Sequence, residues 1–105
     1  MFRFFKVTGT SMHPTLKPGD VVCSVKAFKP LIKVNSVVIF FDKYYSFIIK
    51  KVLSNNDGTL ILKSDNSNID SYFCKKPINV NKIKYVVIFK IRGHYLRKIG
   101  SNILA

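Results

Sequence analysis

The sequence contains no glutamate and no tryptophan, and it has few acidic residues of any kind. Only 5 acidic residues stand against 18 lysines and arginines, which gives a formal net charge of +13 over 105 residues. A surface with this charge attracts phosphates, anionic lipids or acidic peptides. The lysines are spread along the chain rather than clustered. We therefore favour composition bias, over a dedicated nucleic-acid surface, as the origin of the positive charge.

Cysteine is scarce as well, with Cys23 and Cys74 far apart in the chain. They form no C-x-x-C pair and no Cys/His cluster, which excludes a zinc site of the usual spacing. The spacing is compatible with a disulfide between them, but we favour two buried free thiols. We therefore expect no metal site and no cofactor.

Long hydrophobic runs are absent. No apolar run approaches the roughly 18 residues of a membrane-spanning helix. The N-terminal apolar patch is shorter than the roughly 7–15 residues at the centre of a signal peptide. We therefore expect a cytoplasmic or peripherally membrane-associated protein, with no transmembrane helix and no cleaved export signal. Its length and its 48% hydrophobic content predict a single domain over residues 1–105, with a basic tail at 93–105 that frays.

Helical periodicity is almost absent, and short β-rich runs alternate with turn residues. The Asp57-Gly58 pair is typical of a tight hairpin, because it supplies positive φ angles. One helical turn is expected at 11–16, ended by Pro18 and Gly19. The pattern predicts a compact all-β fold of packed antiparallel sheets or a partly open barrel. The predicted strands are 2–7, 20–26, 36–42, 46–53, 59–63 and 84–91.

One segment, SMHPTLKPGDVV at 11–22, carries the clearest chemical signal. A serine on a sharp turn exposes its hydroxyl beside backbone N–H groups that can hold an oxyanion. For Ser11 alone, a helix-capping role would explain the pattern equally well. The whole segment, however, resembles the nucleophile box of the signal peptidase I and LexA-type peptidase superfamily, whose members use a serine nucleophile and a lysine base. The resemblance implies that Ser11 is the nucleophile and that Pro14 and Asp20 support it.

A second segment, FIIKKVL at 47–53, resembles the box that holds the lysine base in that superfamily. The resemblance implies that Lys50 is the base and that Lys51 replaces the usual arginine. A lysine acts as a base only when neutral, and burial among apolar residues lowers its pKa. Neighbouring strand residues face opposite sides, so only one of the two lysines faces Ser11. The alternative is that both lysines protect a strand edge from aggregation.

A third segment, LKSDNSNID at 62–70, resembles the loop at the end of the next strand in the superfamily. Asp65 and Asn66 preserve its Asp-Asn pair and are expected to support the site. Asp70-Ser71 follows sooner than in signal peptidases, and Tyr72 stands where arginine is usual. These departures favour the LexA-like, phage-repressor or small maturation-protease branches. An Asx-rich turn that satisfies its own backbone explains the same residues without catalysis.

The resemblance also locates the oxyanion hole. Gly9 stands where some signal peptidases carry a serine side-chain donor. The hole would then depend on backbone N–H groups, chiefly that of Ser11. We expect oxyanion or substrate contacts at Gly9, Thr10, Met12 and His13.

Taken together, the segments imply a serine endopeptidase. Ten residues precede Ser11, and they contain neither a helix-turn-helix nor a membrane anchor, so we expect cleavage of a protein substrate in trans. The resemblance implies small residues such as alanine before the cut and a substrate bound as an added β-strand. One alternative is a catalytically weak, LexA-like or phage-repressor-like basic module that binds protein or, less favoured, nucleic acid. Another is a reduced signal peptidase that Phe2, Phe4, Phe5 and the basic surface hold at an anionic membrane. The oligomeric state stays open.

Overall fold

A computed structural model describes residues 2–66 and 72–93 of the chain. The described residues form one antiparallel sheet of seven strands in the order β1-β2-β7-β3-β4-β5-β6, together with three short 3₁₀ helices at Lys29–Leu31, Tyr72–Cys74 and Val80–Lys82. The all-β class predicted from the sequence is confirmed. The strands are β1 (Phe2–Lys6), β2 (Val21–Lys26), β3 (Val37–Asp42), β4 (Ser46–Asn56), β5 (Thr59–Lys63), β6 (Ile78–Asn79) and β7 (Ile83–Ile91).

Most strand bounds agree with the sequence prediction to within a residue, because β-branched and aromatic runs are interrupted by clear turn residues. The Asp57-Gly58 turn joins β4 to β5 with φ angles of 52° and 89°, as the Asp-Gly pair predicts. Strand β4 runs on to Asn56, beyond its predicted end, because it pairs with β5 up to this turn. Strand β6 is only two residues long and was not predicted.

The buried side chains form two clusters. The larger lies against β3, β4, β5 and β7, and Val38, Val52 and Leu60 are at its fully buried centre. The smaller contains Met12 and Leu16 from the segment between β1 and β2. Burial of such a side chain contributes about 1.5–3 kcal/mol, so the second cluster attaches this connecting segment firmly to the sheet.

The connecting segment makes a hydrogen-bonded turn with a cis His13-Pro14 peptide bond, and not the helical turn expected at 11–16. The Leu16 amide donates to the Met12 carbonyl at 2.8 Å, and the chain then turns back at Gly19, where φ is +94°. The Gly19 amide donates to the Val7 carbonyl at 2.8 Å, so the two ends of the segment are joined beside β1. Ser11 is therefore presented on a short turn whose apolar side is buried.

Several sequence predictions fall on parts of the chain that the structure does not describe. Asp70, Ser71 and the basic tail after residue 93 lie outside the described residues, as does the side chain of Tyr72. Both cysteines are free, but Cys74 is only half-buried, whereas two buried thiols were expected. Among the described residues, no helix is long and apolar enough to cross a membrane.

Candidate active site

A cavity of about 340 Å³ lies between β4 and the chain that leads from β1 into the Ser11 turn. Ser11 and Lys50 both line it, although they come from separate segments of the chain. Gly9 and Met12 line it as well. The remaining lining is largely apolar and includes Phe5, Val22, Ile39, Phe47, Ile49 and Phe73.

The Ser11 turn is held from both sides. Its own hydrogen bond runs from the His13 amide to the Thr10 carbonyl at 3.1 Å. Asn66 binds it from the loop after β5, because its backbone amide donates to the Ser11 carbonyl at 2.9 Å and its side-chain Nδ2 donates to the Thr10 carbonyl at 3.0 Å. Below the turn, Met12 is only 1% exposed. These contacts give the Ser11 backbone a defined position.

Lys50 is a buried lysine, with only 4% of its surface exposed. Its Nζ donates a hydrogen bond to the Ser64 hydroxyl oxygen at 3.0 Å. Burial lowers the pKa of Lys50 below its usual value, and Cys74 raises it to a smaller extent. A lysine in this setting gives up its proton more readily than one in water, as a general base must.

Cys74 lies next to this pair. Its Sγ is 3.7 Å from the Ser64 hydroxyl oxygen, so Lys50, Ser64 and Cys74 form a continuous chain of polar contacts. Cys74 comes from the short 3₁₀ helix at Tyr72–Cys74, and Phe73 of the same helix lines the cavity. The contact therefore connects the helix to the environment of Lys50.

Lys51, the next residue along β4, has a different environment. Its Nζ lies 2.9 Å from Asp65 Oδ2 in an ion pair. Burial would raise the pKa of Asp65, but the Thr15 hydroxyl and Lys51 outweigh this effect and lower it. Lys51 and Asp65 thus connect β4 to the segment between β1 and β2 through Thr15.

Asp20, which follows the Pro-Gly turn, is almost fully buried and accepts three hydrogen bonds. They come from the Lys17 amide at 2.9 Å, the Arg92 guanidinium at 2.9 Å and the Gly93 amide at 3.0 Å. Burial would raise the pKa of Asp20, but these donors together lower it below its usual value. Lys90 Nζ adds a bond to the Thr15 carbonyl at 2.6 Å. Lys90 of β7 and the two residues that follow the strand therefore attach the segment between β1 and β2 to the sheet.

Some of the residues predicted from the sequence to contact the substrate or to support the site do not line this cavity. Thr10, His13 and Pro14 are exposed and are not among the residues that line this cavity. Gly9 is exposed but lines the cavity, and a Cβ added to it would meet no atom within 4 Å. The structure thus brings Ser11, Lys50, Gly9 and Met12 to one cavity.

The family follows from a comparison with known families. The chain matches the Peptidase S24-like family model over residues 2–89. The chain belongs to the S24-like peptidase family. This family includes both peptidases and repressors. No curated protein matches the chain.

Three contact residues of this S24-like chain were not singled out from its sequence. Ser64 lies within the third segment, but its contact with Lys50 depends on the pairing of β4 with β5. Arg92 and Cys74 lie in segments that the family resemblance did not assign to the site. Their contacts join residues distant in sequence, such as Arg92 with Asp20, and nothing in the local sequence indicates such a partner.

Proposed function

We propose that this chain is a serine endopeptidase in which Ser11 is the nucleophile and Lys50 is the general base. One observation carries the proposal: a buried lysine with a lowered pKa lines the same cavity as a serine on a well-anchored turn. Membership of the S24-like family supports the same chemistry. The substrate is a peptide or protein cut in trans.

In the proposed mechanism, neutral Lys50 accepts the proton of the Ser11 hydroxyl while Ser11 Oγ attacks the scissile carbonyl carbon. The bond between that carbon and the amide nitrogen breaks, and Lys50 returns the proton to the departing amine. Lys50 then accepts a proton from water as the water oxygen attacks the ester carbonyl carbon on Ser11. The bond between that carbon and Ser11 Oγ breaks, Lys50 returns the proton to Ser11 Oγ, and the acid product leaves. The Ser64 hydroxyl oxygen accepts a hydrogen bond from Lys50 Nζ and so orients the amine during both proton transfers.

The oxyanion would be held by backbone groups. Gly9 has no side chain to donate, so the Ser11 amide and a neighbouring amide are the proposed donors. Asn66 supports this role by donating to the carbonyls of both Thr10 and Ser11. Because each carbonyl shares a peptide plane with the next N–H, these bonds also fix the direction of the Ser11 and Met12 amides. Donors with a fixed direction stabilise developing charge without reorganisation.

Peptide cleavage by the purified protein tests the proposal. A mixed peptide pool that includes Ala-x-Ala sequences is incubated at pH 7–9, and the products are identified by mass spectrometry. Cleavage should be lost in Ser11→Ala and in Lys50→Ala but retained in Lys84→Ala, which removes an exposed lysine on β7. Cleavage that survives in either dyad variant would contradict the assignment of that residue.

A peripheral attachment to anionic membranes is a second proposal, which one surface feature favours. The hairpin between β3 and β4 exposes Phe41, Tyr44 and Tyr45, and Tyr44 is 79% exposed. Exposed aromatic side chains and a net charge of +13 favour the interface of an anionic bilayer. Sedimentation with anionic vesicles, reversed by high salt and weakened in Tyr44→Ser, is the expected result. DNA retention without peptide cleavage would instead favour the basic binding module.

A further inference from the structure

Arg3 of β1 lies against an aromatic cluster that joins three strands. Its guanidinium carbon is 4.8 Å from the ring centroid of Phe5, 4.9 Å from that of Phe47 and 5.3 Å from that of Tyr85. Its Nη1 also donates a hydrogen bond to the Tyr85 hydroxyl oxygen at 2.9 Å. A cation this close to an aromatic ring is attracted to the ring face. These four side chains therefore form one unit, which we call the Arg3 cluster.

The Arg3 cluster connects strands that are not neighbours in the sheet. In the strand order, β1 and β4 are separated by β2, β7 and β3. The ring centroids of Phe5 on β1 and Phe47 on β4 are nevertheless 5.0 Å apart, in an edge-to-face contact. Tyr85 of β7 lies between these strands in the sheet, and its ring centroid is 5.3 Å from that of Phe5. The sheet therefore curls until β1 and β4 meet at these rings.

The two strands that meet at the cluster lead to the two residues of the proposed dyad. The chain runs from β1 into the Ser11 turn, and β4 continues from Phe47 to Lys50. Phe5 and Phe47 line the same cavity as Ser11 and Lys50. Arg3 is exposed and does not line the cavity. Any effect of Arg3 on the dyad must therefore pass through the two rings.

The residue type at position 3 suits this arrangement. Arginine is rare in this lysine-rich chain, where it occurs only at positions 3, 92 and 97. A guanidinium group is planar, stacks on aromatic rings and donates hydrogen bonds in fixed directions, whereas a lysine ammonium is a compact, strongly hydrated charge. The contacts of Arg3 with three rings and one hydroxyl use these properties of the guanidinium.

We propose that Arg3 is a positioning residue that holds Phe5 against Phe47 and thereby keeps Ser11 and Lys50 at the spacing that proton transfer requires. This inference rests on the proposed peptidase function and adds to it a residue outside the cavity. Arg3 contacts neither the substrate nor the reacting atoms. It acts through the walls of the cavity, and a displacement of about 1 Å between reacting groups can slow a reaction by about 100-fold.

The test uses substitutions that separate the planar group of Arg3 from its charge. Arg3→Met removes the guanidinium but keeps an unbranched side chain, and Arg3→Lys keeps the charge without the planar group. Tyr85→Phe keeps the ring and removes only the hydroxyl that accepts from Arg3. Lys84→Met is the matched control, because Lys84 is an exposed cation next to Tyr85 on β7 and faces the opposite side of the strand.

Each full-length variant is measured in two ways, under conditions where circular dichroism shows it to be fully folded. Steady-state kinetics gives kcat and KM for a peptide that the wild type cleaves, and NMR detects NOE cross-peaks between the ring protons of Phe5 and Phe47. We expect Arg3→Met to weaken the cross-peaks and to lower kcat by about 10- to 100-fold, with a smaller change in KM. Arg3→Lys should recover little of this loss, and Tyr85→Phe should show a smaller loss. Lys84→Met should match the wild type.

The outcomes separate this inference from the proposed function. An unchanged kcat in Arg3→Met would overturn the inference and leave the dyad intact. Full recovery in Arg3→Lys would also overturn it, because the effect would then belong to the charge alone. Cross-peaks that persist in Arg3→Met would overturn it whether or not the protein cleaves peptides. Cleavage that survives in Ser11→Ala would instead count against the dyad, on which the inference depends.

Discussion

Lys50 Nζ donates to the Ser64 hydroxyl oxygen at 3.0 Å, across the paired strands β4 and β5. The register that pairs Lys51 with Lys63 places Ser64 just beyond the end of β5 and beside Lys50. A neutral amine that gives one N–H to Ser64 keeps its lone pair available for another proton. The contact therefore orients Lys50 for the role proposed here and leaves its basic lone pair unused.

The pH dependence expected of the proposed cleavage follows from the burial of Lys50. Because burial lowers its pKa, kcat/KM should rise with pH as one group loses a proton, with a midpoint below the ordinary lysine value of about 10.4. Lys50→Met should reduce cleavage by about 100-fold or more. Steady-state kinetics across pH measures both effects. A midpoint at or above the ordinary lysine value would contradict the assignment.

Stability should depend on pH through the same group. Between its lowered folded-state pKa and about 10.4, Lys50 binds fewer protons in the folded state than in the unfolded chain, so stability rises with pH across this window. Lys50→Met should remove that rise and preserve stability or increase it by about 1 kcal/mol at pH 7. Chemical denaturation at several pH values tests this, with Lys84→Met as the control. A Lys50→Met variant that retains the full pH slope would exclude Lys50 as its source.

Cys74 should raise the pKa of Lys50, the proposed base. Since Cys74 raises the pKa of Lys50 against the stronger effect of burial, Cys74→Ala should shift the midpoint of kcat/KM to lower pH. Cys23→Ala is the matched control, because Cys23 is buried on β2 and is not among the groups that shift the pKa of Lys50. An upward shift in Cys74→Ala, or an equal shift in both variants, would show that Cys74 does not act on Lys50 in this way.

Gly9 offers a way to strengthen the proposed oxyanion hole. A Cβ at this position meets no atom within 4 Å, and its φ lies outside the left-handed region. Gly9→Ser should therefore fold normally and add a hydroxyl donor, with kcat rising about 10-fold or more, since one such donor is worth about 10²–10³ in kcat. Gly9→Ala, which adds the Cβ alone, should give no gain. Equal kcat values in the two variants would rule out a donor role for a hydroxyl at this position.

Asp20 should stabilise the segment between β1 and β2. Asp20→Asn replaces a carboxylate that accepts bonds from Arg92 and two amides, and it should cost about 1.5–3 kcal/mol. The folded-state pKa of Asp20 is lowered. Its stabilisation is therefore fully present above the unfolded-state pKa of about 3.9, and it is lost as the pH falls from there through the lower folded-state pKa. Denaturation of Asp20→Asn, Arg92→Met and the double variant measures the coupling. Additive effects in the double variant would show that the two side chains act independently.

The secondary structure was largely predictable because its signals are local. Strand β3 is an apolar run, and the β4–β5 hairpin follows from Asp57 and Gly58, which adopt positive φ angles. The two-residue β6 was not predictable, since its pairing with β5 depends on the chain returning to that strand. The candidate dyad was recognisable only because the segments around Ser11 and Lys50 resemble a known family.

The sequence by itself determined the all-β class, the turns and the identities of the candidate nucleophile and base, because backbone preferences and motif residues are properties of short segments. Only the tertiary structure decided that Lys50 is buried, that Ser64 receives its hydrogen bond and that Arg92 binds Asp20. Desolvation of a charge and contacts between distant segments depend on which strands lie side by side. The shape of the cavity likewise exists only once β1, β4 and the Ser11 turn have been brought together.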